Sequence, residues 1–362
     1  MSSVLGEKIK ITIFGESHGP AIGLVIDGLP AGLKLDEDFI KKEMARRAPG
    51  QNKLSSARQE KDQYIIESGV FEGKTTGMAL CALIPNTDAH SKDYSLLKQV
   101  MRPGHGDYPG FVKYQGFNDY RGGGAFSGRL TAPLVFLGAI AKQILAKEKI
   151  YIGAHVASVG VVTDTPFNPL GEKKELFTKL STLSLPTIDE QAGQGMATLI
   201  KTAQEVKDSV GGIIECMAIG LPVGLGEPYF DSVESRLAHA LFSVPAVKAL
   251  EFGQGFRLSV LAGSAANDAL QIKQGKVRAL TNNNGGVQGG ISNGMPLVFK
   301  VGIKPTPSIG LPQKTINVVK KTNTVLEIKG RHDPCIVPRA VVVIEAVTAW
   351  TILDLYYMAK RA

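Results

Sequence analysis

The chain has 362 residues, 44% hydrophobic and 20% charged, enough apolar material for a sizeable core and too much for a disordered chain. Its 41 Lys and Arg against 33 Asp and Glu leave a formal charge of +8, but the longest basic runs are pairs such as Lys41-Lys42 and Arg46-Arg47. A nucleic-acid binder would gather that charge in a stripe with interleaved aromatics, so the charge argues instead for recognition of a small polyanion by single arginines.

The opening run MSSVLGEKIKITIFGESHG lacks the long apolar stretch of a signal peptide and enters a strand at once. Residues 8–14 alternate as a strand does, and 21–27 form a second before the turn Leu29-Pro30-Ala31-Gly32. Asp36 caps a helix DEDFIKKEMARR, acidic in its first turn and basic in its last, as the helix dipole favours. Strands are expected at 63–68 and 78–84, then a long apolar helix from Thr131 to Lys147 with Pro133 in its first turn. A polar helix is predicted over 189–208, followed by the strand IIECMAI. Asp231-Ser232-Val233-Glu234 matches a capping box ahead of the helix ESRLAHALFSV. The apolar stretch Ala340 to Met358 contains Glu345 and Asp354, and so reads as a buried helix: a membrane span needs about 20 apolar residues without central charges.

No linker, repeat or low-complexity tract divides the chain, so residues 1–362 are expected to form a single domain. Strands in hairpin-like pairs between long helices predict an α+β fold and not a doubly wound sheet. Cys81, Cys216 and Cys335 stand far apart with no CxxC spacing. That argues against a disulfide framework or a cysteine-rich zinc site, and for a soluble protein of the reducing cytoplasm.

Three histidines sit in glycine-punctuated loops: His18 in Gly15-Glu16-Ser17-His18-Gly19, His105 in Arg102-Pro103-Gly104-His105-Gly106-Asp107, and His332 in Lys329-Gly330-Arg331-His332-Asp333-Pro334. Histidine titrates near neutrality and suits general acid–base work, and two of the three stand within a few residues of an arginine. His90, His155 and His239 lack that setting and are read as structural. The run Arg121-Gly122-Gly123-Gly124-Ala125-Phe126-Ser127-Gly128-Arg129 fails as a P-loop, with Arg129 and Leu130 at the Lys and Ser/Thr positions. Glycine amides ahead of a helix still suit a phosphate or carboxylate; close packing is the competing reason for such glycines. The segment from Asn282 to Gly294 is polar, nearly uncharged and glycine-rich. A dinucleotide G-x-G-x-x-G is absent, since Gly224-Leu225-Gly226 continues as Glu227-Pro228-Tyr229.

Taken in order, GESHG, RPGHGDYP, RGGG followed by SGRLTAP, GGVQGGISNG, KPTPS and KGRHDPCIVPRAV resemble the chorismate synthase family, from about Lys8 to the C-terminal helix. The resemblance implies a β-α-β sandwich with helices between antiparallel sheets, usually a homotetramer. It also implies an anti-1,4 elimination of phosphate from 5-enolpyruvylshikimate 3-phosphate, giving chorismate at the end of the shikimate pathway, with reduced FMN required and no net redox change. By resemblance Arg47, Lys53, Arg102, Arg129 and Arg331 contact the anionic substrate. His18 helps the phosphate leave, His105 sets the protonation of the flavin, and Asp333 relays the ring proton. Ser17 and Ser127 place hydroxyls near flavin and substrate. The flavin contacts are Ala125, Phe126, Ser127, Pro245, Ala246, Gly289, Lys304, Pro305, Thr306, Pro307, Ser308 and Arg331. Some members reduce flavin with NADPH and others use an external source; the missing nicotinamide fingerprint points to the latter. No metal is implied.

The chain departs from the family pattern at three places. Ala125-Phe126-Ser127-Gly128-Arg129-Leu130 replaces a segment with a further arginine, serine and glutamate, Gly106 stands where alanine is usual, and Lys53 replaces an arginine with a cation that cannot make a bidentate fork. These departures motivate a second expectation, a relative that binds FMN or a phospho-acid with altered or lost turnover.

Overall fold

The computed structural model describes residues 3–50, 62–87, 96–328 and 333–360. The alternating N-terminal segment forms β1 (Val4–Leu5), β2 (Lys10–Gly15) and β3 (Ala21–Asp27). Then come helix α1 (Glu37–Arg47), β4 (Ile65–Ser68), the small hairpin β5 (Val70–Phe71) with β6 (Lys74–Thr75), and β7 (Leu80–Pro85). They make an antiparallel sheet in the order β1-β2-β3-β7-β4. Its register sets Ile22 opposite Ile84, Leu24 opposite Ala82 and Ile26 opposite Leu80, so the buried residues of neighbouring strands share one face.

After α2 (Asp107–Lys113) and α3 (Thr131–Lys147), the second sheet begins with β8 (Tyr151–Val159) and β9 (Val162–Thr163). Helices α4 (Lys174–Leu180) and α5 (Glu190–Glu205) lead to β10 (Gly212–Ile219), α6 (Val233–Leu241) and β11 (Val247–Phe252). The short helix α7 (Gly263–Ala266) and the hairpins β12 (Leu270–Lys273) with β13 (Lys276–Ala279) and β14 (Val287–Gln288) with β15 (Ile291–Ser292) precede β16 (Leu297–Ile303). This sheet is antiparallel in the order β11-β16-β10-β8-β9. The hairpin β17 (Gln313–Asn317) with β18 (Thr322–Leu326) and the long helix α8 (Val337–Ala359) complete the described chain.

Helix α3 packs on β3 and β7 of the first sheet, α8 packs on β8 and β10 of the second, and the two helices pack on each other. A Cβ on Gly138 would lie 2.2 Å from that of Ala346, so this glycine lets α3 and α8 meet backbone to backbone. The layer order is sheet, helices, sheet: the expected α+β fold with helices between antiparallel sheets. One apolar cluster runs through all the layers.

The stretch Gly128–Lys147 and α8 are long and apolar enough to cross a membrane by composition, but their most apolar windows are 72% and 83% buried inside the fold. The two acids inside α8 are paired. Glu345 accepts from Arg46 and Lys142, which hold its carboxyl below the usual range against the opposing effect of burial. Asp354 accepts the amides of Glu7, Lys8 and Ile9 and a guanidinium N–H of Arg236, clamping the N-terminal strand to the last helix.

Two expectations shift. The polar helix spans Glu190–Glu205, short of the 189–208 expected, with Asp189 as its cap. The cap of α6 is Ser232, not Asp231: Ser232 Oγ accepts from Ser235 N, one residue out of register with the expected box. Asp231 is engaged elsewhere, its carbonyl by Glu227 N and its carboxylate by Arg236.

Candidate active site

The triple glycine is where the site is built. Gly122, Gly123 and Gly124 adopt φ of +58°, +93° and +51°, and each also lacks room for a side chain. A Cβ on Gly122 would lie 2.0 Å from His18 Cε1, one on Gly123 would lie 3.0 Å from His105 Cε1, and one on Gly124 would lie 2.1 Å from the Asp119 carbonyl oxygen. Consecutive glycines are therefore flanked by two imidazoles brought from elsewhere in the chain. Ser17 and His18 are buried behind this loop. Ser17 Oγ donates to the Arg121 carbonyl at 3.2 Å and lies 3.1 Å from His18 Nδ1.

On the other side of the loop is a cavity of about 720 Å³. It is lined by Arg47, Arg102, His105, Ala125, Phe126, Ser127, Arg129, Pro245, Ala246, Lys304, Thr306, Pro307, Ser308 and Asp333, all singled out from the sequence. Gly122 lines it as well, and His18 packs against that glycine. Ser17 and His18 do not line it themselves. Pro305 is exposed and packs towards Gly211, and Gly289 is exposed in the turn of the β14–β15 hairpin; neither lines the cavity. Lys53, Arg331 and His332 lie outside the described residues.

His105 is oriented by a residue that the sequence reading passed over. Its Nδ1 lies 2.5 Å from Asp107 Oδ1, while Arg102 forks onto the same carboxylate with Nε and Nη2 at 2.7 Å each. Burial pushes the Asp107 carboxyl up, but the hydrogen bonds from Arg102 and His105 outweigh it and hold the group far below the ordinary carboxylate range. Nδ1 of His105 thus meets the Asp107 carboxylate, which only accepts, and Arg102 Nη2 at 3.1 Å, which only donates; Nε2 is the ring nitrogen nearest the position of a Gly123 Cβ. Arg102 Nη1 continues to Ser308 Oγ at 3.2 Å, tying this triad to the opposite wall.

The arginines come with their own counter-ions. Asp62, buried, accepts from Arg47 Nη1 at 2.5 Å through one oxygen and from Arg129 Nη1 through the other. Desolvation raises the Asp62 carboxyl, yet the two guanidiniums leave it below its ordinary value. Arg47 Nη2 donates to the Gly128 carbonyl at 3.1 Å, and Arg129 Nη2 to that of Pro85 at 3.1 Å. Arg339 lines the cavity too: its Nη1 donates to Asp333 Oδ2 at 2.7 Å and its Nε to the Arg47 carbonyl at 3.1 Å. Burial lowers the Arg339 pKa by more than Asp333 restores. The expected cage of bare arginines is thus a set of arginine–aspartate pairs, because a guanidinium buried without a partner is as costly as a buried lone carboxylate.

The facing wall runs from Pro245 to Lys248 and from Lys304 to Ser308. Lys304 N donates to the Ala246 carbonyl at 2.9 Å, and its Nζ to that of Gly104. Burial, helped by Lys248, lowers the Lys304 pKa. Thr306 Oγ1 is buried in this wall and without a hydrogen-bond partner among the described residues. A buried hydroxyl left in that state marks a place where a bound polar group belongs. No group of His, Cys, Asp and Glu with metal-binding geometry occurs among the described residues.

The family model for chorismate synthase matches residues 9–357. A chorismate synthase of Dehalococcoides mccartyi is 47% identical over 98% of this chain and 96% of its own length. That of Korarchaeum cryptofilum is 43% identical over 97% of this chain and 96% of its own. Among solved structures, a crystal structure of chorismate synthase superposes with a TM-score of 0.75 at 29% identity, covering 98% of this chain and 93% of that one. Sequence and fold agree from one end to the other, and the chain belongs to the chorismate synthase family.

Proposed function

We propose that this chain eliminates phosphate from 5-enolpyruvylshikimate 3-phosphate to give chorismate, a carbon–oxygen lyase reaction that requires reduced FMN. The observation that carries the reading is the pairing of the two histidines across consecutive glycines beside an arginine-lined cavity. The elimination must break the C–O bond to phosphate and remove a ring proton from a substrate that carries two carboxylates besides the leaving phosphate. Arg47, Arg102 and Arg129 supply the positive charge, already aimed by Asp62 and Asp107, so that little reorganisation is needed when the anion arrives.

The residues present fit a flavin. The orphaned Thr306 hydroxyl, the Lys304 ammonium and the backbone of 125–127 offer partners for a phosphate-bearing planar ligand, and about 720 Å³ is ample for a ligand of drug size. Ala125 offers no charge, so the contact made by the family's arginine falls here to backbone or to Lys304. When bound, reduced FMN supplies electron density to the breaking C–O bond. His105, fixed by Asp107, holds or yields a proton at Nε2. His18, packed against Gly122 at the cavity wall, donates towards the departing phosphate. Asp333, held by Arg339, accepts the ring proton.

The assay that tests this is anaerobic, with dithionite-reduced FMN and the enolpyruvyl substrate: chorismate and inorganic phosphate are expected in equal amounts. Well-folded protein that releases neither would leave the chain as a flavin- or phospho-acid-binding relative. A parallel arm with FMN and NADPH alone is expected to stay inactive, an external source supplying the reduced flavin.

The same reading takes the chain to be a cytoplasmic homotetramer. Leu270, Ile272 and Val277 on the β12–β13 hairpin, with Phe256 and Val260 close by in sequence, are exposed apolar side chains that assembly would cover. Sedimentation equilibrium is expected to give four times the chain mass, and a monomer at micromolar concentration would contradict it.

A further inference from the structure

We propose that Phe126 sets the shape of the flavin cavity, and that Gly106 and Gly110 are glycines because its ring is seated on them; this rests on reading that cavity as the FMN site. Neither glycine is demanded by the backbone. Gly106, the N-cap of α2, has φ −74° and ψ 7°, open to any residue. Gly110 lies inside α2, where glycine is the poorest helix former after proline. What both positions lack is room. A Cβ on Gly106 would lie 2.9 Å from Phe126 Cγ, and one on Gly110 would lie 2.5 Å from Phe126 Cε2. Four residues apart, the two positions share one helix face, and the ring reaches both, its Cγ end at Gly106 and its Cε2–Cζ end at Gly110.

Phe126 is also a partition. It lines the 720 Å³ cavity and a second, more apolar one of about 760 Å³ whose walls include Ile13, Phe14, Leu134 and Trp350. The ring is half-buried, with the Tyr114 ring 6.4 Å away as a tilted neighbour. A methyl group added at 106 or 110 therefore presses on the ring, which borders both cavities. His105 precedes Gly106 directly, so the moved ring disturbs the flavin wall next to a functional imidazole. The bulk at 126 and its absence at 106 are one coupled feature: the large residue is tolerated in the loop because the facing helix has been shaved to receive it.

The test is a double-mutant cycle read by FMN binding, with the dissociation constant taken from quenching of flavin fluorescence and the fold checked by circular dichroism. Gly106→Ala is expected to weaken FMN binding about tenfold, the scale of overpacking a tight contact. In the Phe126→Ala background the same Gly106→Ala change is expected to have no further effect. Gly110→Ala in the same two backgrounds supplies an independent cycle should Gly106→Ala not fold. Losses that add in full, or a Gly106→Ala protein that binds FMN as the wild type does, would overturn the proposal and leave the flavin reading intact. A wild-type protein that does not bind FMN at all would overturn both.

Discussion

At the scale of single residues, one carboxylate orients two guanidiniums. Asp62 accepts from both Arg47 and Arg129. Asp62→Asn keeps the shape and removes the negative charge that the two buried guanidiniums share. The expected cost is about 3–5 kcal/mol of stability, that of breaking a buried ion pair. In protein that still folds, KM for the phosphorylated substrate rises more than kcat falls, because the arginines lose their aim and not their chemistry. Denaturant titration and steady-state kinetics check this; unchanged stability and KM would contradict it. The sequence shows why His105 and Arg102 were legible and Asp62 was not. RPGHGD is punctuated by proline and glycine, and the aspartate that orients His105 stands only two residues on, a signal available and passed over. Asp62 carries no motif, and its two arginines lie 15 and 67 positions away. The Arg339 contact with the Arg47 carbonyl spans 292 positions.

At the scale of elements, the glycine loop shows what a motif can hide. The failed P-loop left two readings, an anion cradle or close packing, and the loop serves both: it lines the cavity and makes room for two histidines. A sequence shows that a side chain is missing but not what occupies its place, and here the occupant is His18, over a hundred residues earlier. Gly122→Ala is expected to do more than strain a positive φ. Its methyl group would displace the His18 ring, so turnover falls at least as far as in His18→Ala, and the melting temperature falls by the equivalent of about 1–3 kcal/mol. An active, equally stable Gly122→Ala enzyme would remove His18 from its assigned place. The helices were more transparent: α3 has the expected limits because its apolar residues and its proline are local signals. The cap of α6 slipped by one residue because Asp231 and Ser232 are equally good cap residues, and a contact with Arg236 decides between them.

At the scale of the molecule, buried charge ties neighbouring strands of the second sheet together. His155, read as structural, is buried on β8 opposite Glu215 of β10, with Nδ1 2.8 Å from Asp164 and Nε2 2.9 Å from Glu215. Burial alone would lower its pKa, but the two carboxylates outweigh that and raise it. A histidine raised on folding contributes stability that is full below its unfolded value, about 6.5, and lost as the pH rises through the higher folded value. The melting temperature is therefore expected to fall as pH rises above neutrality, and His155→Gln is expected to flatten that dependence while lowering stability at pH 6. A pH profile identical in both proteins would contradict the clamp. The order of layers, by contrast, came from the family resemblance and not from the residues. Strand pairing across the second sheet sets Gly212 opposite Ile303 and Phe252 opposite Phe299, dozens of positions apart in the chain, and no local pattern encodes it.

The central claim is that His18 and His105, set on either side of the glycine loop, move the protons of a flavin-dependent phosphate elimination. The direct measurement is the anaerobic rate of chorismate formation with dithionite-reduced FMN for wild type, His18→Ala and His105→Ala, each shown to be folded and to bind FMN. The account predicts turnover by the wild type and a loss of about 10²–10⁴-fold in each variant. Turnover near the wild-type rate in either variant would contradict it.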